Sequence, residues 1–273
     1  MNWRAIRAIV RKDLRVILRS KMVLIPMIVV PMIFLVLFPA VIGAVINFAP
    51  LSISSDLEDF DLMLQRMPPT LQAQFDGMEP AQSFLVLMLV HLFAPFFLII
   101  PLMVASVIAA DSFAGEKERK TMEALLYTPL TERELLTAKM LSAWIPALAV
   151  SLVSFILYGV VANLVGWPLM GRIYFPNTTW LVLVLWVAPA ASGLGLGMTV
   201  LVSARVRTFQ EAYQLGAVVV VPVVALVIGQ AAGVIYLSVE FTALLGLILW
   251  AINAVLIWFG VRVFRRGELI TRL

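Results

Sequence analysis

Six long apolar runs, none containing Asp, Glu, Lys or Arg, alternate along this chain with short charged stretches: 22–46, 84–109, 140–162, 180–202, 215–237 and 241–261. A helix needs about 20 mostly apolar residues to cross the hydrocarbon core of a bilayer, so each run predicts one transmembrane helix. Only Ser238, Val239 and Glu240 separate the last two runs. A tight hairpin follows, with Ser238 as a cap and Glu240 in the first turn of the sixth helix. Residues 1–21 keep a different rhythm. Arg4, Arg7, Arg11, Arg15 and Arg19 recur every three or four positions, with Lys12 beside them, while Trp3, Ile6, Val10, Leu14 and Ile17 recur on another face. This pattern predicts an amphipathic basic helix in the cytoplasmic membrane interface, either a plain anchor or a docking element as well. The expected architecture is an all-α membrane protein: interface helix 1–21, six-helix transmembrane domain 22–261 and cytoplasmic tail 262–273.

Composition agrees with the pattern. Of 273 residues 62% are apolar and only 13% charged, with a mean hydropathy of +1.02; soluble domains carry about 25% charged residues. Location of the charges then orients the chain. Segments 1–21, 110–139, 203–214 and 262–273 hold seven, five, two and four Lys and Arg, which is 18 of the 20, and only Arg66 and Arg172 lie on the opposite side. The positive-inside rule places the first group, and with it both termini, in the cytoplasm. The net charge of +4 therefore reads as membrane orientation and not as nucleic-acid binding. The run 22–46 follows some twenty residues rich in charge and is long, so it reads as a retained span and not as a cleaved leader. Absence of cysteine excludes disulfides and thiolate chemistry, and the one histidine, His91, is too few for a histidine-based metal centre.

The outer segment 47–83 gathers Asp56, Glu58, Asp59, Asp61, Asp76 and Glu79 against one Arg66, and Pro68–Pro69 interrupts any long helix. It predicts a small helical cap with a solvated acidic face. Eight prolines fall within the runs (Pro26, Pro31, Pro39, Pro95, Pro101, Pro146, Pro189 and Pro222), and Gly193 and Gly197 form a small-xxx-small pair for close helix packing.

The stretch 110–139, between runs two and three, is the densest in charge. Glu116, Lys117, Glu118, Arg119, Lys120 and Glu123 lead to Leu125–Leu126 and a Thr128–Pro129 turn. Thr131 and Glu134 then make a capping box, with Leu130 and Leu135 as its hydrophobic staple. A short charged helix, a proline break and a recapped helix predict a rigid protrusion at the membrane surface, suited to a soluble partner. The sequence AGEKERKTMEALLYTPLTERELLTAKM here resembles the permeases of type-2 ATP-binding-cassette (ABC) exporters, especially the sodium-export (NatB-like) branch. RKDLRVILRSK near the N-terminus and SARVRTFQEAYQL between runs four and five are similar to the same family, and the six-span order fits the whole chain. Many members of that branch carry a much larger outer domain than the roughly 37 residues here.

The resemblance implies a half-transporter in a bacterial or archaeal inner membrane. It implies a second permease copy or paralogue, and a separate ATPase subunit that binds ATP and Mg. The coupling helix would contact that subunit through Glu116, Glu118, Arg119, Thr121, Met122, Glu123, Leu125 and Leu126, flanked by the basic N-terminal helix. Runs two and five would line the substrate path, with Met88, His91, Phe93, Phe96, Phe97 and Met103 as candidates. That lining suits an amphipathic, drug-like, peptide or lipid-like cargo, with sodium as the cargo the branch itself suggests. The chain has no GxxxxGK[ST] loop and so no ATPase motif of its own. Three other classes make different demands on the sequence. An ion-coupled transporter would place ionisable residues inside the spans, and only His91 is there. An intramembrane hydrolase could use Ser192 with His91 as base. A non-transporting scaffold or assembly subunit of the same fold would differ in showing no substrate-stimulated ATP hydrolysis.

Overall fold

The computed structural model describes residues 2–48, 67–121 and 131–263. Six helices are long and apolar enough to cross a bilayer: Lys21–Ile46, Pro80–Glu118, Arg133–Met170, Thr178–Ser203, Phe209–Ala231 and Val239–Phe259. They are called spans one to six. No strand occurs among the described residues, as expected where lipid offers backbone groups no hydrogen-bond partner and a helix satisfies them internally.

Span two is the axis. Its most apolar window is 78% buried and that of span four 56%, against 17–33% for the other four. Spans three and four flank span two, and span six packs on span four. The outward faces of spans one, three and six carry large apolar residues such as Ile28, Ile156 and Leu247, exposed for contact with lipid. Close approach of spans two and four depends on Gly195: a Cβ there would stand 2.6 Å from the Leu102 carbonyl oxygen and 2.8 Å from Ser106 Oγ. Gly193 and Gly197 face span six instead, where a Cβ would lie 2.9 Å from Asn253 Nδ2 and 3.1 Å from Leu256 Cδ1.

Several spans contain π-turns, which carry one residue more than an α-turn and loosen the local hydrogen-bond ladder. They lie at Ile33–Leu37, Leu87–Leu92, Asp111–Gly115 and Leu183–Val187. Proline is close to three of them, at Pro39, Pro95 and Pro189.

One boundary differs from that read in the sequence: span two runs on through the charged stretch to Glu118. The third helix starts at Glu132, as the Thr131–Glu134 cap predicts. Charge ends the membrane segment but not the helix. The N-terminal helix, Trp3–Ile17, buries Ile6, Ile9, Asp13 and Ile17 and lies along the beginning of the third helix. Val10 and Leu14 are half-buried, and Trp3 is exposed. Ile6 and Ile17 of the predicted stripe are thus buried, while Ile9 and an acid, Asp13, take the places given to Val10 and Leu14. Arg4, Arg7, Arg11, Lys12, Arg15 and Arg19 are all exposed. Before span two, Met67, Leu71 and Phe75 are buried around the short helix Pro69–Gln72 and pack into the core of the bundle. The acids 56–61 of the predicted cap lie outside the described residues.

Candidate functional site

The charged end of span two, Asp111 to Glu118, holds Asp111 and Glu116, two of the four buried Asp, Glu, Lys or Arg side chains among the described residues, and binds a third, Lys139. Glu116 is buried, and its carboxylate takes Lys12 on one oxygen at 3.0 Å and Lys139 on the other. Lys139 is fully buried, donates also to the Ser112 carbonyl at 2.6 Å, and lies 5.4 Å from the Phe113 ring centroid. A buried ammonium is tolerable only with such partners, since desolvation of an unpaired one costs several kcal/mol. Lys12 stands 2.9 Å from Asp13, whose other oxygen accepts the Ser142 hydroxyl at 2.9 Å. Burial pulls the Lys12 pKa down, but the Asp13 and Glu116 carboxylates outweigh it and hold the ammonium above its ordinary value. The N-terminal helix, span two and the third helix are thus joined around one carboxylate.

The next two residues reach the other side. Lys117 Nζ donates to the Ser203 carbonyl at 2.8 Å, with those of Ala204 and Val206 at 3.4 and 3.5 Å. Glu118 accepts the Phe209 backbone N–H at 2.9 Å. Ser203 ends span four and Phe209 opens span five. A cation therefore sits at a helix C-terminus and an anion at a helix N-terminus, each matching the partial charge of the exposed peptide groups there. Arg119 folds back on Asp111 at 2.9 Å. Thr121 is exposed and donates to the Glu116 carbonyl at 3.3 Å. Of the coupling residues read in the sequence, Glu116, Glu118, Arg119 and Thr121 are therefore bonded within the chain, while Met122, Glu123, Leu125 and Leu126 lie outside the described residues. The Thr131 cap that follows is formed, with Glu134 accepting the Thr131 N–H at 3.0 Å and also the Asn2 N–H at 2.6 Å.

Asp13, Ser142 and the pairing partner Lys139 were absent from the sequence reading. A signal for them exists. Asp13 is the lone acid in a basic helix and sits in its apolar stripe, and Lys139 directly precedes a 23-residue uncharged run.

The candidate substrate-path residues divide. Phe93 and Phe97 are buried in an aromatic cluster with Tyr158, Phe175 and Trp180, in which Tyr158 and Trp180 stack at 4.9 Å. Met88, Phe96 and Met103 are half-buried, and His91 is buried in the π-turn Leu87–Leu92. Pro95 has no N–H to offer the carbonyls four and five positions back, those of His91 and Val90. Three consecutive carbonyls of that turn take side chains from three different spans. Leu89 accepts Tyr158 Oη of span three, Val90 accepts Trp180 Nε1 of span four at 2.7 Å, and His91 accepts Gln230 Nε2 of span five at 2.8 Å. Ser192, the candidate nucleophile, donates to the Pro189 carbonyl at 2.8 Å. Among the described residues no cluster of three metal-ligating side chains occurs.

Comparison with curated proteins and with solved structures returns no match. The profile of the ABC-2 family transporter proteins matches residues 7–266, which takes in all six spans, the N-terminal helix from Arg7 and the charged end of span two. The chain belongs to the ABC-2 family of transporter proteins.

Proposed function

We propose that this chain is one half of an ATP-driven exporter in a prokaryotic inner membrane, with both termini cytoplasmic. It pairs with a second permease, and each half rests on a separate ATPase subunit that holds ATP and Mg. The cargo is an amphiphile. The observation that carries the reading is the set of bonds made by Glu116, Lys117 and Glu118: one helical turn is tied to the N-terminal helix, to the third helix and to the junction of spans four and five. A push delivered there by an ATPase reaches four other elements through ionic and helix-terminal bonds, with no intervening flexible segment. The exposed arginines of the N-terminal helix flank that turn.

The test is co-expression of the full chain with the ATPase subunit encoded beside it, followed by reconstitution in lipid vesicles. ATP hydrolysis and ATP-dependent movement of an amphiphilic dye are expected from the complex, and no hydrolysis above background from the chain alone. In Lys117→Met the two activities should separate, with hydrolysis retained and transport per ATP reduced at least several-fold. Hydrolysis by the purified chain alone would overturn the division of labour. A complex that hydrolyses ATP without moving or responding to any amphiphile would favour the scaffold class.

A further inference from the structure

Two buried polar side chains keep atoms without a partner. His91 is 3% exposed and Gln230 2%, and among the described residues neither His91 Nε2 nor Gln230 Oε1 has a hydrogen-bond partner. The two residues are in contact, because Gln230 Nε2 donates to the backbone carbonyl of His91 at 2.8 Å. The Phe75 ring of the cap covers the imidazole, with centroids 5.7 Å apart. Buried polar atoms in native proteins are nearly always paired, and an unpaired pair in one place points to a missing ligand or water.

The chemistry of these two atoms is narrow. The uncharged runs 84–109 and 215–237 that carry them contain no Asp, Glu, Lys or Arg, so nothing in either run compensates a formal charge. The carboxamide oxygen accepts, and imidazole nitrogen accepts or donates according to its tautomer. A hydroxyl or a primary carboxamide, which donates and accepts at once, satisfies both atoms together. The Phe75 ring against the imidazole is apolar. We propose that His91 and Gln230 form a hydrogen-bonding subsite for the neutral polar group, a hydroxyl or a carboxamide, of an amphiphile held between spans two and five. This deepens the export reading and rests on it only for the movement of the ligand, not for its binding.

His91 is the one histidine in the chain, so histidine-selective ¹⁵N labelling gives a single imidazole to observe. The full chain is placed in lipid nanodiscs and titrated with decanol and with decanamide, using decane and decylammonium at equal mole fraction as controls. A saturable shift of the Nε2 resonance is expected with decanol and decanamide alone. It should weaken at least tenfold in Gln230→Leu, while Gln230→Asn, which keeps the carboxamide, should retain part of it. Phe75→Ala leaves both polar groups in place and should speed ligand exchange without abolishing the shift, which keeps the test usable if Gln230→Leu does not fold. A shift produced equally by decane, no saturable shift, or a resonance that reports only exchange with a bound water would each overturn the subsite. Binding without ATP-dependent transport in the assembled complex would instead overturn the export reading and leave the subsite standing. Transport of an amphiphile with a silent His91 would do the reverse.

Discussion

At its C-terminal end, span two is held by charged groups, with Glu116 between Lys12 and Lys139 and with Lys117 and Glu118 on two helix ends. Towards its N-terminal end the bonds are neutral: three carbonyls, of Leu89, Val90 and His91, take a phenol, an indole and a carboxamide. Both ends fasten span two to spans three and five, and each joins it to span four. The chemistry differs because the surroundings do. Near the membrane surface, ions can be hydrated while the helices assemble. At membrane depth a backbone carbonyl left without its N–H is already a strong acceptor, and a proline is enough to create one. The difference teaches that a helix bundle can be bolted with salt bridges where water reaches and with helix defects where it does not.

The largest effect should come from breaking the charged end. Lys139→Met leaves Glu116 buried with Lys12 alone, and losing one member of a buried pair costs about 3–5 kcal/mol. The loss is measured as unfolding free energy in detergent or bicelles. Combining it with Glu116→Leu removes both charges and should recover most of the loss, since replacing a buried pair by apolar residues is often neutral. A double variant as unstable as the single one would mean that the pair is not the source of the stability.

The neutral end should give a smaller number. Trp180→Phe keeps a ring in the stack but removes the donor to Val90, and hydrogen bonds between membrane helices are worth about 1 kcal/mol. Pro95→Ala sharpens the comparison. It restores an N–H that can reach the Val90 or His91 carbonyl, so Trp180→Phe should cost less in that background. Additive effects in this double-mutant cycle would contradict the role given to the proline.

Much of this arrangement could be read in the sequence, and the parts that could not share a cause. The six spans follow from uncharged runs, and the Thr131–Glu134 cap from a four-residue motif, because both are local. Lys12, Glu116 and Lys139 are far apart in the chain, and what joins them is the way the N-terminal helix lies on the third helix. The charges that end run two at residue 109 do not end its helix: Asp111 and Glu116 are buried with partners, and paired charge does not stop a helix. Gln230 lies in an apolar run, and nothing in its neighbourhood announces a bond to residue 91.

The smallest predicted effect concerns pH. The Lys12 ammonium is held above its ordinary value of 10.5. A group whose pKa rises on folding contributes its full stabilisation below its unfolded pKa and loses it as pH climbs through the folded one. Lys12 should therefore add a constant amount at neutral pH and lose it only above about pH 10.5. Half-exposed, it is worth less than about 1 kcal/mol. Unfolding midpoints of the parent and of Lys12→Met should run parallel from pH 6 to 9 and converge at higher pH; convergence near neutrality would put the proton elsewhere.

The π-turn at Leu87–Leu92 also has a meaning in terms of helical phase. One residue advances an α-helix by about 100°, and a π-turn is an α-helix that has absorbed one residue without passing that rotation on. Span two can therefore be viewed as two α-helical halves whose faces were brought into alignment by an insertion. Deleting a single residue from the turn would restore an unbroken ladder and leave every side chain beyond it in phase, so Lys117 and Glu118 would still face the helix ends they cap. What would go is the loosened ladder itself, where Leu89, Val90 and His91 offer their carbonyls to three other spans.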